Sequence, residues 1–244
     1  MGQGGVLRRK RLYTICFRQV PLTGGASDYL EHMMSAAAEK AYEAIYQSIR
    51  QGAIPPGTRL IERQLCQELA ISRTPVREAL RRLTAEGLVE NRPHRGVIVS
   101  QLSQAELAEV YEVGVVLEST VAGVAARNCG RTAQLVLRRL LTDMRAVLAN
   151  EMIDPAQYVA LDHAFHMAIA ESTGNRRLVT MLRSTCDLRV LNTAFSHYDR
   201  AHYERSLRQH ETIAEAIEAG DEDWASSAMR AHVLSARAAG GHHV

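Results

Sequence analysis

The chain has 244 residues, of which 46% are hydrophobic and 23% charged, a balance typical of an ordinary folded protein with room for two modest domains. It contains no run of about 18 apolar residues, so we expect no transmembrane helix and no membrane partner. The four cysteines lie far apart without a CxxC spacing, which favours a reduced, cytoplasmic protein over a disulfide or cysteine–zinc framework.

The net charge of +2 is spread unevenly along the chain. Residues 1–35 carry five basic and two acidic residues, and residues 36–100 carry ten and seven. Residues 101–244 instead carry fourteen basic and eighteen acidic residues. We therefore expect only the N-terminal part to meet a polyanion.

Three helical segments and two short strands are predicted in the first part of the chain. Their bounds are Ser35 to Gly52, Glu62–Ala70, Ser72 to Gly87, Leu88–Asn91 and Val97–Ser100. Pro55-Pro56-Gly57 breaks the chain after the first helix. Ser72 or Thr74 can cap the third helix, and Pro75 suits its first turn. Two helices, a tight turn and a β-hairpin predict a winged helix-turn-helix.

From Ser103, a predicted N-cap, the pattern is helical almost to the end of the chain. The predicted helices lie near 104–128, 131–150, 155–173, 175–195, 200–219 and 222–238. No strand pattern interrupts them, which indicates an antiparallel all-helical bundle. The predicted fold is thus mainly α. Its parts are a disordered extension 1–35, a winged helix-turn-helix domain 36–102, a helical domain 103–238, and a tail 239–244.

The helix after Ser72 separates its charged and apolar side chains. Arg73, Arg77 and Arg81 share one face, opposite an apolar stripe. In a winged helix-turn-helix, the N-terminal residues of this helix meet base edges in the major groove, where arginine grips guanine or a phosphate. The simpler alternative is that these arginines only solvate an exposed face. The predicted DNA-binding residues are Arg63, Ser72, Arg73, Thr74, Arg77, His94, Arg95 and Gly96.

Four residues of the C-terminal part have the spacing of a metal site. Asp162 and His166 are four residues apart on one predicted helix. His210 and His232 are equidistant from the turn between the last two helices, so they can face each other. One carboxylate and three imidazoles suit zinc first, and also nickel, cobalt, manganese or iron. His163 lies about 100° round the helix from Asp162 and is excluded. Spacing alone leaves open that each histidine is an ordinary core or surface residue.

The N-terminal part resembles the DNA-binding domain of GntR-family bacterial transcription regulators, through the runs IPPGTRL and SRTPVREALRRL. Residues 104–238 resemble the FCD effector domain of the FadR subfamily, through D-x-x-x-H, ESTGN and the two later histidines. The resemblance implies a homodimer on a pseudo-palindromic operator, usually a repressor. It also implies a divalent metal on Asp162, His166, His210 and His232, which helps to hold a small organic or sugar acid.

One position departs from the family pattern. Many members carry an arginine that pairs with the effector carboxylate three residues before a Leu-Glu pair, where this chain has Gly114. The effector is then larger or differently anchored. Arg189, with Asn192 one turn later, is the predicted replacement, unless Arg189 merely lies on the bundle surface.

Two other functions fit part of the pattern. A metalloenzyme would use the same four ligands, but neither Glu171 nor Glu211 is fixed as a general base, and the DNA-binding half would be unexplained. A metal sensor would keep every residue assignment and make the metal itself the signal.

Overall fold

A computed structural model describes residues 26–193 and 198–240 of the chain. These residues form nine α-helices and one two-stranded sheet. In chain order the elements are α1 (Ala26–Arg50), α2 (Glu62–Leu69), α3 (Arg73–Ala85), β1 (Val89–Arg92), β2 (Gly96–Val99), α4 (Gln104–Asn128), α5 (Arg131–Ala149), α6 (Pro155–Ser172), α7 (Arg176–Thr193), α8 (Arg200–Ala219) and α9 (Glu222–Gly240). None of these described helices combines the length and apolar character that a bilayer crossing requires.

The first helix begins earlier than the sequence pattern predicted. Helix α1 starts at Ala26, inside the segment that we expected to be a disordered extension. Residues 26–38 contain alanine, leucine and methionine but no glycine or proline, so nothing in them interrupts a helix. Residues 1–25 and 241–244 lie outside the described residues, as does the end of the helix predicted over 175–195.

The N-terminal domain is the predicted winged helix-turn-helix. Helices α1 and α3 pack through apolar faces on which Ile45 and Leu83 are buried. Strands β1 and β2 pair antiparallel, with Val89 opposite Val99, each shifted by one residue from its predicted bounds. Arg59 adds an isolated bridge to Ile98, which fixes the segment before α2 against the hairpin.

The C-terminal domain is a bundle of six helices, α4 to α9, among the described residues. Ser103 caps α4 through a capping box with Glu106, as its position predicted. Asp154 caps α6 ahead of Pro155. Helices α4 and α9 approach closely at Gly123, where a Cβ atom would lie 3.3 Å from the backbone oxygen of Glu222.

Helix α7 contacts both domains. Leu191 is buried within the apolar core of the winged helix-turn-helix, and Leu188 packs against that core from the same side of α7. The methyl carbons of Leu188 would lie 3.7 Å from a Cβ atom at Gly87, just after α3. The predicted boundary at residues 102–103 separates the two domains in sequence. In space the domains are in contact, because side chains of α7 pack into the core of the N-terminal domain.

Candidate functional site

The recognition helix α3 presents the arginine face that the sequence predicted. Arg73, Arg77 and Arg81 are exposed. The opposite face, with Val76, Leu80 and Leu83, is buried in the domain core. The remaining predicted DNA-binding side chains, Arg63, Ser72, Thr74, His94 and Arg95, are also exposed, and Gly96 is half-buried. All eight are therefore accessible to a partner.

One of these arginines has a partner within the protein. The guanidinium Nε of Arg77 lies 2.9 Å from the carboxylate of Glu62 at the start of α2. Both side chains are exposed, and such a pair contributes only about 0–1 kcal/mol, so a phosphate can replace the carboxylate at small cost. Arg82, by contrast, lies over the ring of Tyr42 and pairs with Glu39 and Glu86, which gives it a role within the fold.

The hairpin between β1 and β2 forms the wing. His94 and Gly96 both adopt positive φ, 64° and 72°, which turns the chain tightly and leaves His94 and Arg95 exposed at the tip. Arg59, which the sequence analysis did not select, lies beside this turn. Its guanidinium lies 3.8 Å from the position that a Cβ atom would occupy if Gly96 carried a side chain.

Four side chains of the bundle converge from three helices. Asp162 and His166 come from α6, His210 from α8 and His232 from α9, and one donor atom from each lies within 4.8 Å of the others. The rings of His210 and His232 face each other across the α8–α9 hairpin with centroids 4.4 Å apart. The three imidazoles are buried and Asp162 is partly exposed. The geometry therefore brings together every residue that the sequence predicted as a metal ligand.

Two of these histidines are oriented by neighbouring oxygen atoms. Nδ1 of His232 forms a hydrogen bond of 3.1 Å with Oε1 of Gln209, and Nδ1 of His166 lies 2.5 Å from Oε2 of Glu118, an ion-pair contact outside hydrogen-bond geometry. An oxygen acceptor on Nδ1 fixes the ring and leaves Nε2 for a ligand, the usual outer-sphere arrangement of metal-binding histidines. Neither Glu118 nor Gln209 was selected from the sequence.

The third imidazole provides the test of whether a metal fits. Among the described residues, neither ring nitrogen of His210 has a hydrogen-bond partner, although the side chain is completely buried. The carboxylate of Asp162 approaches Nε2 to 3.3 Å without hydrogen-bond geometry. A buried polar atom without a partner is costly, and a metal ion would satisfy it. The donor set of three nitrogens and one oxygen fits a divalent transition metal.

Burial keeps the imidazoles of His210 and His232 neutral. Burial lowers the pKa of His210 well below its ordinary value of 6.5, and the neighbouring His166 lowers it further. Burial also lowers the pKa of His232 well below that value, with His210 and His166 acting in the same direction. Neutral imidazoles bind a cation near pH 7 without first losing a proton.

A cavity of about 740 Å³, counted out to its solvent opening, lies beside the four residues. Asp162, His166 and His232 form part of its wall. Two cations, Arg189 and Arg205, also line it, together with His202 and with the tyrosines Tyr111, Tyr158, Tyr198 and Tyr203. The predicted effector residue Arg189 is thus at the cavity, while the side chains of Asn192 and His197 lie outside the described residues.

Arg189 does not lie on the bundle surface. Its side chain is 11% exposed, and Nη1 lies 2.6 Å from Oε1 of Glu118, a carboxylate that is completely buried. Burial alone would raise the pKa of Glu118, but Arg189 and His166 outweigh it and lower the pKa to about 2. Glu118 therefore connects the cation of the cavity with one of the four converging side chains, His166.

The departure at Gly114 has a structural counterpart. A Cβ atom at Gly114 would lie 3.2 Å from Oε1 of Glu118 and 3.6 Å from Nη1 of Arg189. The absence of a side chain on α4 leaves the space into which the guanidinium from α7 extends. The sequence offered one signal for Glu118, a single acidic residue within the apolar stretch VGVVLESTVAGVAA.

His163, which the sequence analysis excluded as a metal ligand, takes a different place. Its ring is buried and lines the cavity, but Nε2 lies 2.7 Å from Oδ1 of Asp187 on α7. His163 is therefore engaged by a carboxylate rather than by the metal-site residues.

A winged helix-turn-helix with an exposed arginine face, joined to a helical domain that contains a cavity, defines a class of two-domain DNA-binding regulators. Residues 37–99 match the family profile described as bacterial regulatory proteins, gntR family, and residues 109–235 match that of the FCD domain. The chain belongs to the GntR family of bacterial regulators and carries an FCD domain. The family resemblance inferred from the sequence is thereby confirmed.

Known relatives agree with this assignment. An uncharacterized HTH-type transcriptional regulator of Agrobacterium vitis, from the TAR-I ttuE-ttuC' intergenic region, is 36% identical over 60% of this chain and 85% of its own length. A protein named probable D-xylose utilization operon transcriptional repressor, from Paenarthrobacter nicotinovorans, is 29% identical over 82% of this chain and 87% of its own. The solved structure of E. coli McbR/YncC superposes with a TM-score of 0.73 at 20% identity, covering 83% of this chain and 95% of that one, and shows the shared fold. The chain is thus a DNA-binding transcription regulator and not an enzyme.

Proposed function

We propose that this regulator is a repressor that binds a pseudo-palindromic operator as a homodimer and responds to a small carboxylate metabolite held at a divalent metal in the C-terminal domain. The observation that carries the proposal is the convergence of Asp162, His166, His210 and His232 at the wall of a cavity that also contains Arg189.

The metal would be held by the four converging residues, with zinc favoured by three imidazoles and one carboxylate. When bound, it supplies a positive charge that attracts a carboxylate oxygen. Glu118 orients His166 and Gln209 orients His232 before any ion arrives. The partner-free nitrogens of His210 favour an ion at this position over an empty polar core.

The effector is a small organic or sugar acid. Arg189 already faces the Glu118 carboxylate, so part of its charge is compensated within the protein. The metal therefore supplies most of the attraction for an acid, while Arg189 directs one oxygen by hydrogen bonding. Four tyrosines around the cavity suit a ligand that also carries hydroxyl groups.

Repression is supported by the name of one relative, a probable transcriptional repressor, while another relative is named a transcriptional activator. A dimer is supported by the geometry of such DNA-binding domains. A two-fold dimer presents two recognition helices to two half-sites, which accounts for a pseudo-palindromic operator. The effector can release DNA only by favouring a placement of the two domains that differs from the DNA-bound one.

The experiment that tests the proposal is the metal content of untagged protein after loading with Zn²⁺ and desalting. We expect about one metal ion per chain in the wild type, and loss of that ion in Asp162→Ala. Glu171→Ala is the matched control, because Glu171 is an exposed carboxylate on the same helix α6. Metal retained in Asp162→Ala, or absent from the loaded wild type, would contradict the proposed ligand set.

A further inference from the structure

Buried hydrogen bonds cross from the DNA-binding domain into the effector domain. The hydroxyl of Tyr46 on α1 donates to Oδ1 of Asp187 on α7 at 2.7 Å. Nε2 of His163 on α6 lies 2.7 Å from the same oxygen. Arg50, the last residue of α1, places Nη1 3.3 Å from Nδ1 of His163. One carboxylate and one imidazole are therefore shared between three helices of two domains.

The donors and acceptors in this network are fixed by chemistry. A guanidinium only donates, so Nδ1 of His163 accepts from Arg50. The proton of the neutral ring is then on Nε2 and is donated to Asp187. Asp187 accepts from both Tyr46 and His163 through one oxygen. Tyr46, His163 and Asp187 are all buried, so water cannot replace a broken bond without a rearrangement.

On one side, the network adjoins the cavity. His163 lines the cavity and directly follows Asp162, one of the four converging residues. Asp187 lies between Cys186 and Arg189, which both line the cavity. A small rotation or shift of α6 or α7 at the cavity therefore moves a member of the network.

On the other side, the network adjoins the core that supports the recognition helix. Tyr46 is part of that core, and Leu191 of α7 is buried in it. The methyl carbons of Leu188 lie 3.7 Å from where a Cβ atom at Gly87 would be, between α3 and the wing. Asp187 thus lies among the residues of α7 that pack against the DNA-binding domain, while Cys186 and Arg189 of the same helix line the cavity.

We propose that Tyr46, His163 and Asp187 are positioning residues through which occupancy of the cavity sets the placement of the DNA-binding domain. This inference rests on the proposed function, since it takes the cavity to be the effector site. An occupant that moves α6 or α7 either carries α1 with it or breaks the shared bonds. The two outcomes are two arrangements of the domains, and an occupant selects between them by its different affinity for each.

The chain offers a matched pair of variants to test this network. Tyr46→Phe removes only the hydroxyl that crosses to Asp187. Tyr42→Phe removes a hydroxyl from the same helix, one turn away, that bonds at 2.6 Å to Glu86 within the DNA-binding domain. The two rings stack on each other at 5.6 Å, so both substitutions disturb the same environment. Only Tyr46→Phe breaks a bond between the domains.

The measurement is amide hydrogen exchange by mass spectrometry on the full chain, stripped with EDTA or loaded with Zn²⁺. In the wild type and in Tyr42→Phe, we expect Zn²⁺ to slow exchange in α6 and also, at least about threefold, in residues 41–50 of α1. In Tyr46→Phe, we expect Zn²⁺ still to slow exchange in α6 but no longer to slow it in residues 41–50 of α1. If the network only stabilises the fold, Tyr46→Phe would change the exchange rates by the same factor in the EDTA-stripped and in the Zn²⁺-loaded protein.

Equal Zn²⁺ protection of α1 in the wild type and in Tyr46→Phe would overturn the inference. Bound Zn²⁺ that leaves α1 of the wild type unchanged would do the same. If elemental analysis finds no bound metal, the metal proposal fails separately, and operator DNA then replaces Zn²⁺ as the perturbation, because coupling between two sites is reciprocal. DNA binding must slow exchange around His163 in α6 of the wild type and of Tyr42→Phe but not of Tyr46→Phe, and an equal effect in all three would overturn the inference.

Discussion

Arg189 and Glu118 form an ion pair with a separation of 2.6 Å inside the effector domain, where Glu118 is completely buried. The second oxygen of Glu118 lies 2.5 Å from Nδ1 of His166. One carboxylate therefore holds both the cation that lines the cavity and a histidine of the proposed metal site. A side chain at Gly114 would crowd this pair, because a Cβ atom there would lie 3.2 Å from Oε1 of Glu118 and 3.6 Å from Nη1 of Arg189. The cation that lines the cavity beside Glu118 thus comes from α7 rather than from α4.

Glu118→Gln should weaken metal binding by about 10- to 100-fold, because His166 loses the carboxylate that orients its ring and raises its basicity. The dissociation constant for Zn²⁺, measured by competition with a chromogenic chelator, checks this. Glu112→Gln is the control, since Glu112 lies on the same helix with an exposed side chain. Equal Zn²⁺ affinity in the wild type and Glu118→Gln would show that this contact does not support the site.

Arg189→Met should lower the free energy of unfolding by about 3–5 kcal/mol, because it leaves the buried carboxylate of Glu118 without its cation. The double variant Glu118→Met, Arg189→Met should be more stable than the single one, since no unpaired charge remains. Denaturant unfolding of metal-free protein measures both. The assigned pairing would be contradicted if the double variant lost as much unfolding free energy as the two single variants lose together.

Arg73→Ala should weaken operator binding by about 1–3 kcal/mol if Arg73 contacts a base at the start of α3. The operator is first obtained by selection from random-sequence DNA, and affinity is then measured by fluorescence anisotropy at fixed salt. Arg139→Ala is a suitable control, because Arg139 is an exposed arginine of α5 in the other domain. Unchanged operator affinity in Arg73→Ala would show that Arg73 does not contact the operator.

The metal-free protein should lose stability as the pH falls from 7.5 to 5.5. Burial lowers the pKa of His210 and His232 well below 6.5 in the folded chain, whereas both titrate near 6.5 when unfolded. The unfolded state then binds more protons below pH 6.5, and each such histidine removes up to about 1.4 kcal/mol per pH unit.

Denaturant unfolding of EDTA-stripped protein at several pH values measures this acid sensitivity. A variant His210→Leu should show a smaller loss than the wild type, because one of the two groups is gone. His94→Ala, which changes an exposed residue of the wing, should match the wild type. Unfolding free energies that are flat between pH 7.5 and 5.5 would contradict the assigned burial of these histidines.

The parts of this architecture that were predictable follow local rules. The arginine face of α3 and the pairing of His210 with His232 depend only on helical periodicity and on the symmetry of a hairpin. The roles of Glu118 and His163 depend on partners that come from other helices, Arg189 and Asp187, and no spacing in the sequence encodes those contacts. Periodicity excluded His163 as a metal ligand, but it could not show which residues its ring meets.

The most direct test of the central claim is a crystal structure of the Zn²⁺-loaded protein with anomalous diffraction data on both sides of the zinc absorption edge. The account predicts one anomalous peak between Asp162, His166, His210 and His232, about 2.0–2.2 Å from each donor atom. A zinc peak elsewhere in the chain, or Zn²⁺-loaded crystals with no peak among these four residues, would contradict it.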